Sequence, residues 1–188
     1  MAHRFTIQCL NGLKSRLESD FKSVQWDTEK RFQSTGVAWT WVDVDIYGDN
    51  AESVIFIEFE MYRRNPEDNA VKLGELLTQR RNAAPFAQKE ILVLHVFSPF
   101  YEVDPHLRKS NLCEGVMPVK FRALGATYAT CRWRLGQFPE VLKACQSTSN
   151  ADNFSHNTQL DQALDMLAKD LGNMIRDWQN GYSHQRGS

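Results

Sequence analysis

Trp39-Thr40-Trp41-Val42-Asp43-Val44-Asp45-Ile46-Tyr47 and Val54-Ile55-Phe56-Ile57-Glu58-Phe59-Glu60-Met61 are the stretches that decide the fold. Both are rich in β-branched and aromatic residues and alternate with period two, the repeat of a strand. The polar run Gly48-Asp49-Asn50-Ala51-Glu52-Ser53 between them predicts an antiparallel hairpin. Alternation sends Asp43, Asp45, Glu58 and Glu60 to one face. Val42, Val44, Ile46, Ile55, Ile57 and Phe59 go to the other, an unbroken apolar face. With Tyr47 opposite Val54, Asp45 faces Phe56, Asp43 faces Glu58 and Trp41 faces Glu60, and directly opposed Cβ atoms lie about 5 Å apart. Like charges at that distance repel unless a cation or a reaction uses them.

Working outward, Leu10, Leu13, Leu17 and Phe21 recur at helical spacing, which predicts a helix from about Leu10 to Phe32, ended by Gly36. Asn65-Pro66 reads as the start of a second helix running through Leu73 and Leu77 to about Arg81, with Asn65 as N-cap. Glu90 to Phe97 is a nearly continuous apolar run and predicts a strand buried on both faces. Ser98 to Lys120 reads as loop-rich, Thr127 to Arg134 as another strand, and Pro139 to Cys145 as a short helix. Residues 147–153 read as a polar linker. Leu160, Leu164, Leu167, Leu171, Met174 and Trp178 mark a long amphipathic helix, with a polar tail after Asn180. The expected fold class is therefore α/β, a mixed central sheet flanked by helices.

The chain of 188 residues suits a single domain over 1–188. Its formal net charge of −1 gives no global basic excess for nucleic acid and leaves local patches open. Cys9, Cys113, Cys131 and Cys145 are scattered without zinc-like spacing, so a metal–thiolate site is not expected. Free thiols and the absence of a signal-like start predict a cytoplasmic protein. No apolar run approaches the roughly 20 residues that span a bilayer, so no membrane association is expected.

Clustered carboxylates point to a hard, oxygen-liganded cation, Mg²⁺ (or Mn²⁺), which lowers the pKa of a bound water and stabilises charge at a phosphate. An acid on one strand, a turn, then Ile57-Glu58-Phe59-Glu60 closing an apolar strand resembles the PD-(D/E)XK nuclease superfamily, the restriction-endonuclease-like fold. The pattern there is an acid, a variable gap, then acid-x-lysine. The resemblance covers about Leu10 to Phe97. It implies an α-β-β-α-β core over 10–97, with a strand and helix extension over 98–146 and a C-terminal helix over 154–180. It also implies a metal-dependent hydrolase of nucleic-acid phosphodiester bonds, with DNA as the expected substrate and RNA left open. Asp43 would match the first acid and Glu58 the second, together holding the metal. Glu60 stands where lysine is usual, as in some restriction enzymes of the superfamily, and would be a third ligand or activate the water. Asp45 is a reserve ligand. Lys72 on the following helix would supply the displaced positive charge, with Arg63 and Arg64 near the phosphate.

The blander readings are a solvated acidic face for the hairpin, solvated charges for Arg63, Arg64, Arg80 and Arg81, and a hydrogen-bonded core residue for His95; Arg132 and Arg134, on one strand face with Tyr128, fit a nucleic-acid backbone contact and a surface sheet edge equally well. His106 and His156 have no partner spacing, and Glu18 and Glu29 read as surface salt-bridging acids. A catalytically inactive module with the same fold is the second expectation, its C-terminal helix docking on a protein partner or a second copy. A small-molecule enzyme using the acids as general acid and base ranks third.

Overall fold

The computed structural model describes residues 4–34, 41–61, 65, 67–99, 101, 110–146 and 157–186. In chain order these form α1 (Arg4–Asp20), β1 (Gln25–Gln33), β2 (Trp41–Asp49), β3 (Ser53–Glu60), α2 (Glu67–Arg80), β4 (Glu90–Phe97), α3 (Ser110–Gly115), α4 (Met117–Ala123), β5 (Thr127–Arg132), α5 (Pro139–Gln146) and α6 (Thr158–Arg186). Five strands make one mixed sheet in the order β1-β2-β3-β4-β5. The β1–β2 and β2–β3 pairs are antiparallel, and β3–β4 and β4–β5 are parallel. The fold is α/β with helices on both faces, as the patterning requires.

The two faces bury separate cores. One gathers Leu10, Leu13 and Leu17 of α1, Ile55 and Ile57 of β3, Leu92 and Leu94 of β4, and Leu164, Leu167 and Leu171 of α6. The other gathers Val54 and Phe56 of β3, Val93 and Phe97 of β4, Leu73 and Leu77 of α2, Cys113 of α3 and Phe121 of α4. β3 is buried along its whole length and β4 nearly so, which explains their near-continuous apolar runs. The apolar stripe of α6 packs within the chain, and Arg16 of α1 ties the pair by bonds to Asp161 and to Asp165 at 2.6 Å. The face expected to dock on a partner is thus largely occupied.

Five sequence expectations need correction. The first helix stops at Asp20, where Phe21 and Val24 close a turn, and Gln25–Gln33 is an edge strand. Only Trp26 and Phe32 of that strand are buried, so its charged residues imitate an amphipathic helix. The segment after β4 is not all loop, since α3 and α4 lie within it. α4 ends on Gly125 at φ 68°, with Ala126 N–H donating to Phe121 O and Gly125 N–H to Arg122 O, a Schellman cap that turns the chain into β5. α6 continues through Asn180 to Arg186.

The fourth correction is the hairpin register. Asp49 pairs with Val54, Gly48 with Ile55, Tyr47 with Phe56 and Ile46 with Ile57, two residues from the expected alignment. Asn50 is the cause. Its Oδ1 accepts from the backbone N–H groups of Glu52 (2.9 Å) and Ser53 (2.7 Å), and from the Ser53 hydroxyl (3.0 Å). This Asx turn is tighter than the six-residue joint the sequence suggests, and it draws Asp49 into the ladder.

Alternation also fails within β2. Val42 and Val44 sit in the core under α2, whereas Ile46 sits in the core under α1. β1 switches in the same place, with Trp26 in the α1 core and Phe32 in the α2 core. Between them Glu29 has φ 52°, and the ladder passes from Thr28↔Ile46 to Lys30↔Val44 without a Glu29–Asp45 pair. A kink shared by both strands therefore exchanges their faces at Glu29 and Asp45, and neither the acids nor the apolar residues keep to one side.

Candidate functional site

The kink opens a fork in the sheet. β2 pairs with β3 only as far as Ile46↔Ile57. Beyond that point β2 follows β1 to Trp41, and β3 follows β4 to Glu60↔Phe97. Asp45 sits at the fork, half-buried, and its Oδ2 accepts a 2.8 Å hydrogen bond from the backbone N–H of Phe59. A carboxylate thus takes over where the ladder carbonyl stops, lying on the Glu58–Phe59 peptide. Asp43 lies away from this peptide. Its carboxylate is 63% exposed and pairs with Arg31 of β1 at 2.6 Å, and the Arg31 guanidinium lies over the Trp41 ring. The structure brings Asp45 to Glu58–Phe59, the place the sequence reading gave to Asp43.

Glu58 and Glu60 are each only 1% exposed. They share the α2 side of β3 with Phe56, at the carboxyl end of the strand. Glu60 Oε1 accepts from the Asn69 amide of α2 at 2.9 Å. His95, paired with Glu58 across the parallel ladder and fully buried, places Nε2 3.7 Å from the same Oε1. Its Nδ1 lies 2.6 Å from the Tyr128 hydroxyl of β5. The ring rests on Phe97, centroid to centroid 4.4 Å. Below it, burial pushes the Cys113 thiol up to about 11; its hydrogen bond with Tyr128 acts against this, and the charges of Glu67, Glu60 and Glu114 reinforce it. Burial also raises the Tyr128 phenol far above its usual range, helped by Cys113, Glu58 and Glu60. Glu58, Glu60 and a string of polar side chains therefore lie at the carboxyl ends of β3 and β4, under the start of α2, and Asp45 reaches β3 through the Phe59 N–H. In parallel α/β sheets this is the end where ligands bind.

Lys72 lies on α2, half-buried, three residues after Asn69. Arg63, Arg64, His106, His156, Pro66, Gly36, Trp39 and the 147–153 linker lie outside the described residues. Arg80 donates to the carbonyls of Gln33 and Ala84, and Arg81 to those of Phe86 and Lys89. Arg132 pairs with Glu114 at 2.6 Å. These three arginines tie the fold together. Arg81 and Arg122 also line an open groove of about 430 Å³, but it lies at the amino ends of β4 and β5, the other end of the sheet.

Asn69, His95, Tyr128, Cys113 and Glu67 complete the cluster, and sequence reading did not group them. Asn69 left a signal, standing at the start of α2 beside Lys72, and His95 one as a hydrogen-bonded core residue. The others come from elements whose adjacency depends on the sheet order.

Among the described residues no three His, Cys, Asp or Glu side chains stand close enough to cage a metal ion. Mg²⁺ usually takes one or two carboxylates and completes its octahedron with waters and substrate phosphate, so it needs no such cage. Among the described residues no helix is long and apolar enough to cross a membrane. Comparison with known proteins finds no matching family model, no matching curated protein and no matching solved structure.

Proposed function

We propose that this protein is a restriction-endonuclease-like, Mg²⁺- or Mn²⁺-dependent nuclease of the reducing cytoplasm, hydrolysing phosphodiester bonds of nucleic acid, with DNA as the first substrate to try. The observation that carries the reading is the fork in the sheet, which sets the Asp45 carboxylate on the Glu58–Phe59 peptide with Glu60 one step further along β3. An acid on one strand followed by acid-x-acid at the carboxyl end of the next resembles the acid and acid-x-lysine arrangement of PD-(D/E)XK nucleases, with Glu60 in the place of the lysine. The order of helix, strands, helix and parallel strand agrees with it too, with β1 as an added leading strand.

Asp45 and Glu58 would hold the cation, with Glu60 as third ligand and Asp43 in reserve. When bound, the cation supplies a more acidic water and neutralises charge at the phosphate. Glu60, which accepts at Oε1 from Asn69, would take the proton of the attacking water. Lys72, near the start of α2, would meet the phosphate as a point charge.

Nicking of supercoiled plasmid, and of single-stranded DNA and RNA, with Mn²⁺ tests this directly. Asp45→Ala and Glu58→Ala are each expected to lower the rate by about 10²–10⁴-fold. Cleavage that persists in Glu58→Ala would refute the assignment.

A second reading, a non-catalytic module built on the same fold, draws on the near-complete burial of Glu58 and Glu60. There the acids would act as a hydrogen-bonded polar core that specifies packing. Calorimetric titration separates the two readings: Mn²⁺ binding that disappears in Asp45→Ala supports the nuclease, and no binding by the wild type supports the module.

A further inference from the structure

We infer that His95 is a positioning residue for Glu60, presenting its Nε2–H to Oε1. The catalytic consequence rests on the nuclease reading above; the tautomer does not. The resemblance expects a lysine at the position of Glu60. The geometry puts the Asn69 amide and the His95 ring nitrogen beside that carboxylate instead.

Glu58 and His95 are neighbours in the parallel ladder, so the imidazole shares the face of Glu58 and Glu60. Its Nε2 is buried, has no hydrogen-bond partner among the described residues, and stands 3.7 Å from Glu60 Oε1. A nitrogen lone pair aimed at a buried carboxylate would be repelled, whereas an N–H is attracted and needs only a small closing movement to bond. The other side of the ring is compatible with that tautomer. With its hydrogen on Nε2 an imidazole accepts at Nδ1, and the Tyr128 hydroxyl, 2.6 Å away, can donate there. Asn69 Nδ2 already donates to the same Oε1. The two groups approach Glu60 from different elements, α2 and β4, and together they set the direction of its carboxylate. Outer partners of this kind typically change activity by 10–100-fold when removed.

The tautomer is read from long-range ¹H–¹⁵N correlations of the His95 imidazole in the full chain. A protonated Nε2 and a pyridine-like Nδ1 are expected. A protonated Nδ1 in the wild type would overturn the inference. In the Mn²⁺ plasmid assay His95→Leu is expected to lower kcat about 10–100-fold with KM for DNA unchanged. His95→Gln, which restores a side-chain N–H, should recover most of it. Wild-type kcat in His95→Leu overturns the role. If the wild type does not cleave, or if Asp45→Ala and Glu58→Ala cleave normally, the nuclease reading fails instead, and the tautomer measurement alone decides whether His95 donates to Glu60.

Discussion

Glu29 holds φ 52° in the middle of an edge strand with its side chain exposed. A non-glycine residue there costs about 1–3 kcal/mol, and such strain persists only where the surroundings impose it. Glu29→Gly is accordingly expected to raise stability in urea unfolding by about 1 kcal/mol, since glycine adopts this region freely and little packing is lost. Lower stability would show that the Glu29 side chain contributes more than its strain costs. Asp43 and Asp45 give a sharper contrast, because the sequence treats them as near equivalents. Asp45→Ala orphans the Phe59 N–H and should cost about 1–3 kcal/mol. Asp43→Ala removes an exposed ion pair and should cost less than about 1 kcal/mol. Equal losses in equilibrium unfolding would mean that the fork at Asp45 is not what distinguishes them. The alternation Val42-Asp43-Val44-Asp45 is visible in sequence, but the exchange of faces at Asp45 depends on a kink imposed from β1.

Among elements, the β2–β3 hairpin shows how local chemistry decides register. Asn50 organises the turn through three contacts, and Gly48 lets the Trp26 ring lie against the strand. A Cβ at Gly48 would come within 2.7 Å of the Trp26 ring and 3.0 Å of Val24. Gly48→Ala is therefore expected to destabilise by about 1–3 kcal/mol through overpacking, measured by thermal unfolding. A neutral result would mean that Trp26 can move aside at no cost. β3, β4, α2 and α5 are legible from sequence to within a few residues, because each has a continuous or periodic apolar pattern. β1 is not. An edge strand with two buried side chains carries too little hydrophobic signal to outweigh the helical spacing of the residues before it.

For the whole molecule, both cores are sealed well enough to keep every cysteine buried. Burial lifts Cys113 and Cys131 to about 11 and Cys145 to about 12, and it raises Cys9, Tyr47 and Tyr128 as well. The unfolded chain releases its thiol protons from about pH 8.5, while the folded chain keeps them. Stability from these groups is thus complete below about pH 8.5 and declines as pH rises towards about 12, because the folded state binds more protons. The melting temperature should be level between about pH 7 and 8 and fall steadily above about pH 9. A level curve to pH 11 would contradict the burial of the thiols. The sequence by itself determined the class of fold, the central strands and the acid-bearing hairpin, because those follow from side-chain periodicity along a continuous segment. Only the tertiary structure decided the fork at Asp45, the two-residue register and the gathering of Asn69, His95, Tyr128 and Cys113 around Glu60. These depend on the order of strands in the sheet and on a backbone kink, and neither leaves a period in the sequence.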